Sequence, residues 1–282
     1  MKSLSKSIFI SLFPAIAVYS AVISGMHLAE FGITIDILGQ FLTSIVIVVF
    51  FARLFLVSTP RTSAGLSGNT IAILIGFLTS ILATAFLRDF DLNGVALNVL
   101  LTIGWILYIK WYSVFEERDS AILKVGKMLP ELVLENTKNE KVSSTTFLGN
   151  PTIYLFYRGN WCPLCMAQIK EIAGQYKELE NRGVNMVFVS PQPHTHTEKL
   201  GKKYDLGFHY LQDTNNEVAK QLGLFSKNGI PAGFQALGYD SDTVMPTVII
   251  TDRTGKIAFA DLTDNYRVRP EPETFLAVID AM

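Results

Sequence analysis

Thr152-Ile153-Tyr154-Leu155-Phe156-Tyr157-Arg158-Gly159-Asn160-Trp161-Cys162-Pro163-Leu164-Cys165 is the stretch on which the reading of this chain turns. Its first six residues form a continuous apolar run, the pattern of a strand buried on both faces. From Pro163 the spacing is helical, with Ile169, Ile172, Tyr176 and Leu179 on one face and Gly183 as the stop, which predicts a helix over 163–181. The two cysteines, the only ones in 282 residues, therefore stand at a strand-to-helix junction. Cys162 takes the cap position and Pro163 the first helical position, where a missing N–H costs nothing. Unpaired N–H groups at a helix start favour a negative sulfur, and the thiolate is the reactive form. Cys165 lies one turn further in, within reach of Cys162. The spacing thus predicts a redox couple in which Cys162 attacks and Cys165 resolves.

Two thiols are too few for a disulfide framework or for a tetrahedral zinc site on their own. A zinc site would have to recruit His194 and His196, which are expected in a loop; two buried structural thiols are the other alternative. Neither requires the strand-to-helix position that the pair occupies.

Composition divides the chain. Residues 1–115 carry ten charged side chains and residues 116–282 carry thirty-nine. About 20 apolar residues cross a hydrocarbon core and 17 can suffice, which predicts four spans at 8–23, 37–57, 70–87 and 95–115. Lys2 and Lys6 ahead of the first span also allow a signal peptide cleaved near Ala15-Ile16-Ala17, although the apolar run continues past that point. Lys2, Lys6, Arg53, Arg61, Lys110, Arg118, Lys124 and Lys127 fall on one side of the spans and only Arg88 on the other, beside Asp89 and Asp91. By the positive-inside rule the basic side is cytoplasmic. The chain is expected to be an integral protein of a bacterial inner (plasma) membrane, with the thiol domain on the cytoplasmic side. His27 is expected in a loop, and Asp36, Gln40, Arg53, Asn98 and Lys110 are the polar groups in or beside the spans. Asp36, Arg53 and Lys110 lie near span ends, where long side chains snorkel. Anchoring or partner docking is the expected role of these spans, with a small-molecule site as the alternative.

After a charged linker over 116–127, residues 128–282 alternate strands and helices: a hairpin around 137–140, strands at 152–157 and 184–190, helices near 198–204 and 216–222, a hairpin over 247–260 and a closing helix at 272–281. The expected fold class is an α-helical membrane domain of four transmembrane helices followed by an α/β thioredoxin-like domain.

Residues 124–282 resemble the thioredoxin-fold superfamily and, more closely, its peroxiredoxin-like branch, the alkyl hydroperoxide reductase and thiol-specific antioxidant family. The resemblance rests on 156–165, on Ser190-Pro191-Gln192, on Pro246-Thr247 with Asp252-Arg253-Thr254-Gly255-Lys256-Ile257, and on Tyr266 with Arg269-Pro270-Glu271-Pro272. Residues 1–115 resemble no family. The resemblance implies thiol redox chemistry, yet the peroxidase pattern Pro-x-x-x-Thr-x-x-Cys is altered. With Cys165 at the reactive position, Arg158 replaces the Pro and Cys162 the Thr, and Met245 stands where an orienting Arg is expected.

Trp-Cys-Pro-x-Cys is the form seen in membrane-tethered thioredoxin-like reductases. By that likeness Met245-Pro246 stands at a cis-proline position facing the sulfurs, with a trans proline opening a strand as the alternative. Trp161 is expected to cover the pair or to pack in the core. Arg158 either supports the thiolate or lies solvated in a loop. The resulting expectation is a thiol-disulfide oxidoreductase acting on protein disulfides, with a hydroperoxide-reducing peroxidase as the alternative and a redox-sensing docking module as the non-enzymatic one. Each redox version needs an external thiol reductant such as thioredoxin, glutaredoxin or glutathione, and none calls for a metal, flavin or nucleotide. A net charge of −1 argues against a nucleic-acid partner.

Overall fold

The structure, a computed structural model, describes residues 2–87, 92–115, 118 and 121–282. Arg88, Asp89 and Asp91, and Glu116, Glu117, Asp119 and Ser120 of the expected linker, lie outside the described residues. The chain divides into two compact units, a helical one made of Ser5–Ser58 with Thr62–Val114 and an α/β one built on Phe115–Met282.

Among the described residues the first unit is made of four α-helices, α1 (Lys2–Phe31), α2 (Ile35–Leu56), α3 (Ser67–Leu87) and α4 (Leu92–Leu107). All four are long and apolar enough to cross a membrane, α4 together with the turn after it. Helix α1 runs unbroken through Pro14 and through Ala15-Ile16-Ala17, and it contains His27, which is therefore helical and not in a loop. The fourth span does not stay regular to residue 115. After Leu107 it widens into a π-helical turn, Tyr108–Tyr112, closed by the Ser113 N–H and hydroxyl, which both donate to the Tyr108 carbonyl (3.0 and 2.7 Å).

Helices α2 and α3 approach at Gly39 and Gly76. A Cβ on Gly39 would stand 2.5 Å from the Ser80 nitrogen, and one on Gly76 would stand 2.8 Å from the Gly39 carbonyl oxygen. Small residues permit this backbone contact, which substitutes for the hydrophobic drive that lipid does not supply. Buried hydroxyls find acceptors one turn back in their own helix: Ser24 on Ser20, Thr43 on Gly39, Ser44 on Gln40, Thr84 on Ser80 and Thr102 on Asn98, at 2.6–3.1 Å.

Among the described residues the α/β unit holds a seven-stranded sheet. Its strands are β1 (Val133–Glu135), β2 (Lys141–Ser143), β3 (Thr152–Phe156), β4 (Asn185–Ser190) and β5 (His209–Gln212), then, beyond a separate two-stranded ribbon of β6 (Phe225–Ser226) and β7 (Thr243–Val244), β8 (Thr247–Thr251) and β9 (Ile257–Ala260). The order is β2-β1-β5-β4-β3-β8-β9. Strands β3, β4 and β5 are parallel, and β8 runs antiparallel to β3. Phe156 is level with Val189 on one side and Thr247 on the other, so the end of β3, the end of β4 and the start of β8 meet at one edge of the sheet. This four-helix region followed by a mixed α/β sheet of thioredoxin-like type matches the expected fold class.

Local departures have local causes. The helix expected over 163–181 is two helices, α5 (Pro163–Gly174) and α6 (Tyr176–Asn181), separated at Gln175 (φ −102°, ψ 15°) next to the helix-weakening Gly174. His194-Thr195-His196 is not a loop but the first turn of α7 (His194–Lys203), entered from Pro193. Helices α8 (Glu217–Gln221) and α9 (Pro272–Asp280) complete the unit. The end of the expected linker is part of the sheet edge, where Gly126 donates to the Ile257 carbonyl and Ile257 to the Lys127 carbonyl (both 2.8 Å).

Candidate active site

Strand β3 delivers the chain to the sheet edge, Gly159 turns it with φ +141°, and α5 begins at the first cysteine. A Cβ at Gly159 would stand 2.9 Å from the Trp161 ring, so the turn has room only for glycine. Cys162 is the N-cap of α5: its sulfur accepts from the Cys165 N–H at 3.4 Å, and Pro163 follows at the first helical position. The two free thiols are hydrogen-bonded with their sulfurs 2.7 Å apart. Disulfide closure therefore needs only a small movement. Both are buried, at 2% and 0% exposure.

The cations are distributed unequally around them. Arg269, itself buried, donates from Nη2 to the Cys165 sulfur at 3.4 Å. It is held in place by Nη1 on Gln168 Oε1 (2.8 Å) and Nε on the Tyr266 carbonyl (3.1 Å). Gln168 lies three residues beyond Cys165, so α5 supplies both the sulfur and the brace for its counter-charge. Burial pushes the Cys165 thiol up, but the hydrogen bond with Cys162, the Arg269 charge and the Arg158 backbone N–H outweigh it and bring Cys165 down to about 5. Burial, together with the adjacent Cys165, pushes Cys162 well above the usual thiol range. The two sulfurs are thus unequally placed: the buried guanidinium beside Cys165 favours the thiolate there over one on Cys162.

Arg158 is buried and not solvated. Its guanidinium lies 4.6 Å from the Trp161 ring centre and 5.6 Å from that of Tyr266, and Nη2 donates to the Gly229 carbonyl. Trp161 is half-buried beneath Phe234, its ring edge-on at 5.5 Å between centroids. Gln192, from the turn after β4, donates to the Tyr157 hydroxyl (2.9 Å) and accepts from the Asn160 N–H (2.8 Å), which fixes the loop ahead of the sulfurs.

Met245–Pro246 is trans, as are all the described peptide bonds, which corrects the cis-proline expectation. Pro246 instead lines a cavity of about 10 Å³ beside Arg269, together with Gln168, Thr247 and Tyr266. Its carbonyl and the Thr247 hydroxyl accept from Arg118 at 3.2 and 2.9 Å. Among the described residues no three His, Cys, Asp or Glu side chains converge as a metal-holding group.

Sequence reasoning did not single out Arg269, Gln168 or Arg118 as site residues. Arg269 is 104 residues from Cys165 and stands in an irregular segment before α9, where no periodicity or spacing marks it. Met245 does vacate the expected arginine position; the positive charge arrives instead from the C-terminal segment.

Residues 125–260 match the AhpC/TSA family. The chain is 26% identical over 148 residues to the thiol-disulfide oxidoreductase ResA of Bacillus subtilis, covering 52% of this chain and 78% of that protein. It is 25% identical over 135 residues to the peroxiredoxin Bcp of Escherichia coli, covering 48% and 83%. The crystal structure of the peroxidoxin BcpB from Mycobacterium tuberculosis superposes with a TM-score of 0.47 at 18% identity, over 57% of this chain and 98% of that one. The Cys162–Cys165 pair thus lies in a peroxiredoxin-like redoxin segment of the AhpC/TSA family, spanning residues 125–260.

Proposed function

We propose that the protein is a membrane-anchored thiol peroxidase in which Cys165 attacks and Cys162 resolves. The observation that carries this reading is the buried Arg269 guanidinium 3.4 Å from the Cys165 sulfur. A cation there favours the thiolate before reaction and remains beside the oxygen that departs. The Cys165 thiolate attacks the near oxygen of a hydroperoxide, the O–O bond breaks, and the alkoxide or hydroxide leaves with both electrons and takes up a proton. Cys165 is now a sulfenic acid. Cys162 attacks its sulfur, water leaves, and the 162–165 disulfide forms. An external thiol reductant, such as thioredoxin, glutaredoxin or glutathione, restores the pair. Burial of both sulfurs supports a small oxidant over a protein disulfide.

The second reading is disulfide exchange led by Cys162, favoured by its N-cap position and its slightly greater exposure. The two relatives, one called a thiol-disulfide oxidoreductase and the other a peroxiredoxin, share thiol redox chemistry without choosing between these readings. For residues 1–115 we retain the anchoring role, and for the thiol domain the cytoplasmic side, on the strength of the Lys and Arg placement.

The test is stopped-flow oxidation of the reduced full chain in detergent by hydrogen peroxide, followed through tryptophan fluorescence with Trp105 and Trp111 replaced by Phe so that Trp161 alone reports. A rate far above that of a free thiolate, lost in Cys165→Ser, supports the peroxidase. A rate no better than a free thiol, with protein-disulfide reduction lost in Cys162→Ser, replaces it by exchange. Partner binding that survives in the double Cys→Ser variant of a chain inactive in both assays indicates a docking module.

A further inference from the structure

The thiol pair is buried, and the residues that lead into it, Arg158 and Trp161, pack against the connection from β6 to β7. Arg158 donates to the Gly229 carbonyl, and the Thr243 hydroxyl returns a hydrogen bond to the Arg158 carbonyl (3.0 Å). Phe234 stands over Trp161. Tyr239 stacks on His196 with 4.5 Å between ring centres and 9° between planes. Ile230 and Tyr239 are buried, while Leu237 at the outer turn is exposed. The turn depends on Gly233 and Gly238, at φ +99° and +85°. Its anchoring ribbon pairs only two residues per strand. The connection is thus secured largely by side-chain contacts, which a modest free energy can release.

We propose that residues 227–242 form a gate that separates the two half-reactions by the size of the reactant. A hydroperoxide, only a few atoms across, reaches the buried Cys165 through side-chain fluctuations with the gate closed; a dithiol protein is too large for that route and reaches Cys162 only when the gate is open. In the reductive half the partner's thiolate must approach Cys162 in line with the S–S bond. That bond breaks with both electrons passing to Cys165, whose charge Arg269 holds, and a low-pKa leaving thiolate departs readily. The partner's second thiol then displaces Cys162, which takes a proton from water, and the partner leaves as a disulfide. With Cys162 at 2% exposure, a protein thiol cannot reach its sulfur unless the surrounding chain moves, and the 227–242 segment is packed on Arg158 and Trp161, which lead into Cys162. The oxidative half of the proposal rests on the peroxidase reading; the reductive half does not, because the same disulfide forms in either reading.

The test compares the oxidised full chain in detergent with its Phe234→Ala and Gly238→Ala variants, each reduced by a thioredoxin and, separately, by dithiothreitol, with the freed thiols counted by rapid alkylation. Phe234→Ala removes the contact on Trp161. Gly238→Ala acts through backbone strain alone, since a Cβ there meets nothing within 4 Å. Thioredoxin-driven reduction should rise about fivefold to tenfold in both, in proportion to the open fraction. Reduction by dithiothreitol and oxidation by hydrogen peroxide should change less than about twofold. An unchanged thioredoxin rate in a folded variant, or an equal rise with both reductants, overturns the gate. If Phe234→Ala does not fold, Gly238→Ala decides. Should the wild type react with peroxide no faster than a free thiol, the peroxidase reading falls, while the comparison of the two reductants still judges the gate.

Discussion

In the helical unit, Leu12, Leu78, Phe86 and Ile103 face outward while Ser20, Ser24, Gln40, Thr43, Ser44, Ser80, Thr84 and Asn98 are buried. In the α/β unit the interior is Leu134, Tyr154, Phe156, Val187, Val189, Leu211 and Ile249. The inversion follows from the solvent each surface is suited to. Water rewards apolar burial at about 25 cal/mol per Å², whereas lipid tails give no such preference and leave close packing and hydrogen bonds to join helices. The comparison also separates two uses of buried polarity. Hydroxyls in the helical unit are mostly satisfied by their own helix one turn away and need no ligand. Buried polar groups of the α/β unit, Arg158, Gln168, Gln192 and Arg269, come from separate elements and converge around two sulfurs.

The largest effect should come from the centre of that convergence. Cys165→Ser should slow reaction with hydrogen peroxide about a thousandfold or more, whereas Cys162→Ser should still oxidise and accumulate a sulfenic acid that a dimedone probe captures. Equal loss in both variants would break the claim that the sulfurs are unequally polarised.

Arg269→Gln removes the charge but keeps hydrogen-bonding capacity, and should slow peroxide reaction at pH 7 about tenfold to a hundredfold. The pH dependence has a definite sign. Because the Cys165 pKa is lowered in the folded protein to about 5 from the ordinary 9.0, the reduced form gains stability as pH rises from 5 to 9 and loses it as pH falls through 5. The midpoint potential of the pair should accordingly fall about 30 mV per pH unit between pH 5 and 9, for one proton per two electrons, and about 59 mV below pH 5. In Arg269→Gln the break should move upward; an unmoved break would place the charge control elsewhere.

Changes in the helical unit should alter stability and leave the thiols alone. Gly76→Leu drives a side chain into the Gly39 and Thr43 backbone and should cost about 1–3 kcal/mol, read as a lower melting temperature in detergent at an unchanged peroxide rate. Asn98→Leu should have the smallest effect. Asn98 is fully buried and neither amide atom has a partner among the described residues, so an apolar replacement should be neutral or stabilising by about 1 kcal/mol. A clear loss of stability there would mean that the amide is engaged, and would weaken the view that polarity in this unit is purely structural.

Much of this was legible in the order of the residues. The junction at 152–165 could be read because strand, cap, proline and helix follow one another directly. The four helices could be read because a hydrocarbon core demands long apolar runs. Other features depend on competition between neighbours. The break at Gln175 and the helical turn at His194 are local choices that hydrophobic periodicity does not resolve. The trans Met245–Pro246 bond could not be read either, because the sequence allows both isomers.

Contiguous residues alone place two thiols three apart at a helix start, in a chain whose preceding segment forms four apolar helices. Which sulfur has a cation beside it depends on the tertiary arrangement. Arg269 and Gln168 are 101 residues apart, and only the sheet edge, with the chain returning past β9, sets one against the other beside Cys165. Electrostatic interaction depends on separation in space, and the fold sets that separation.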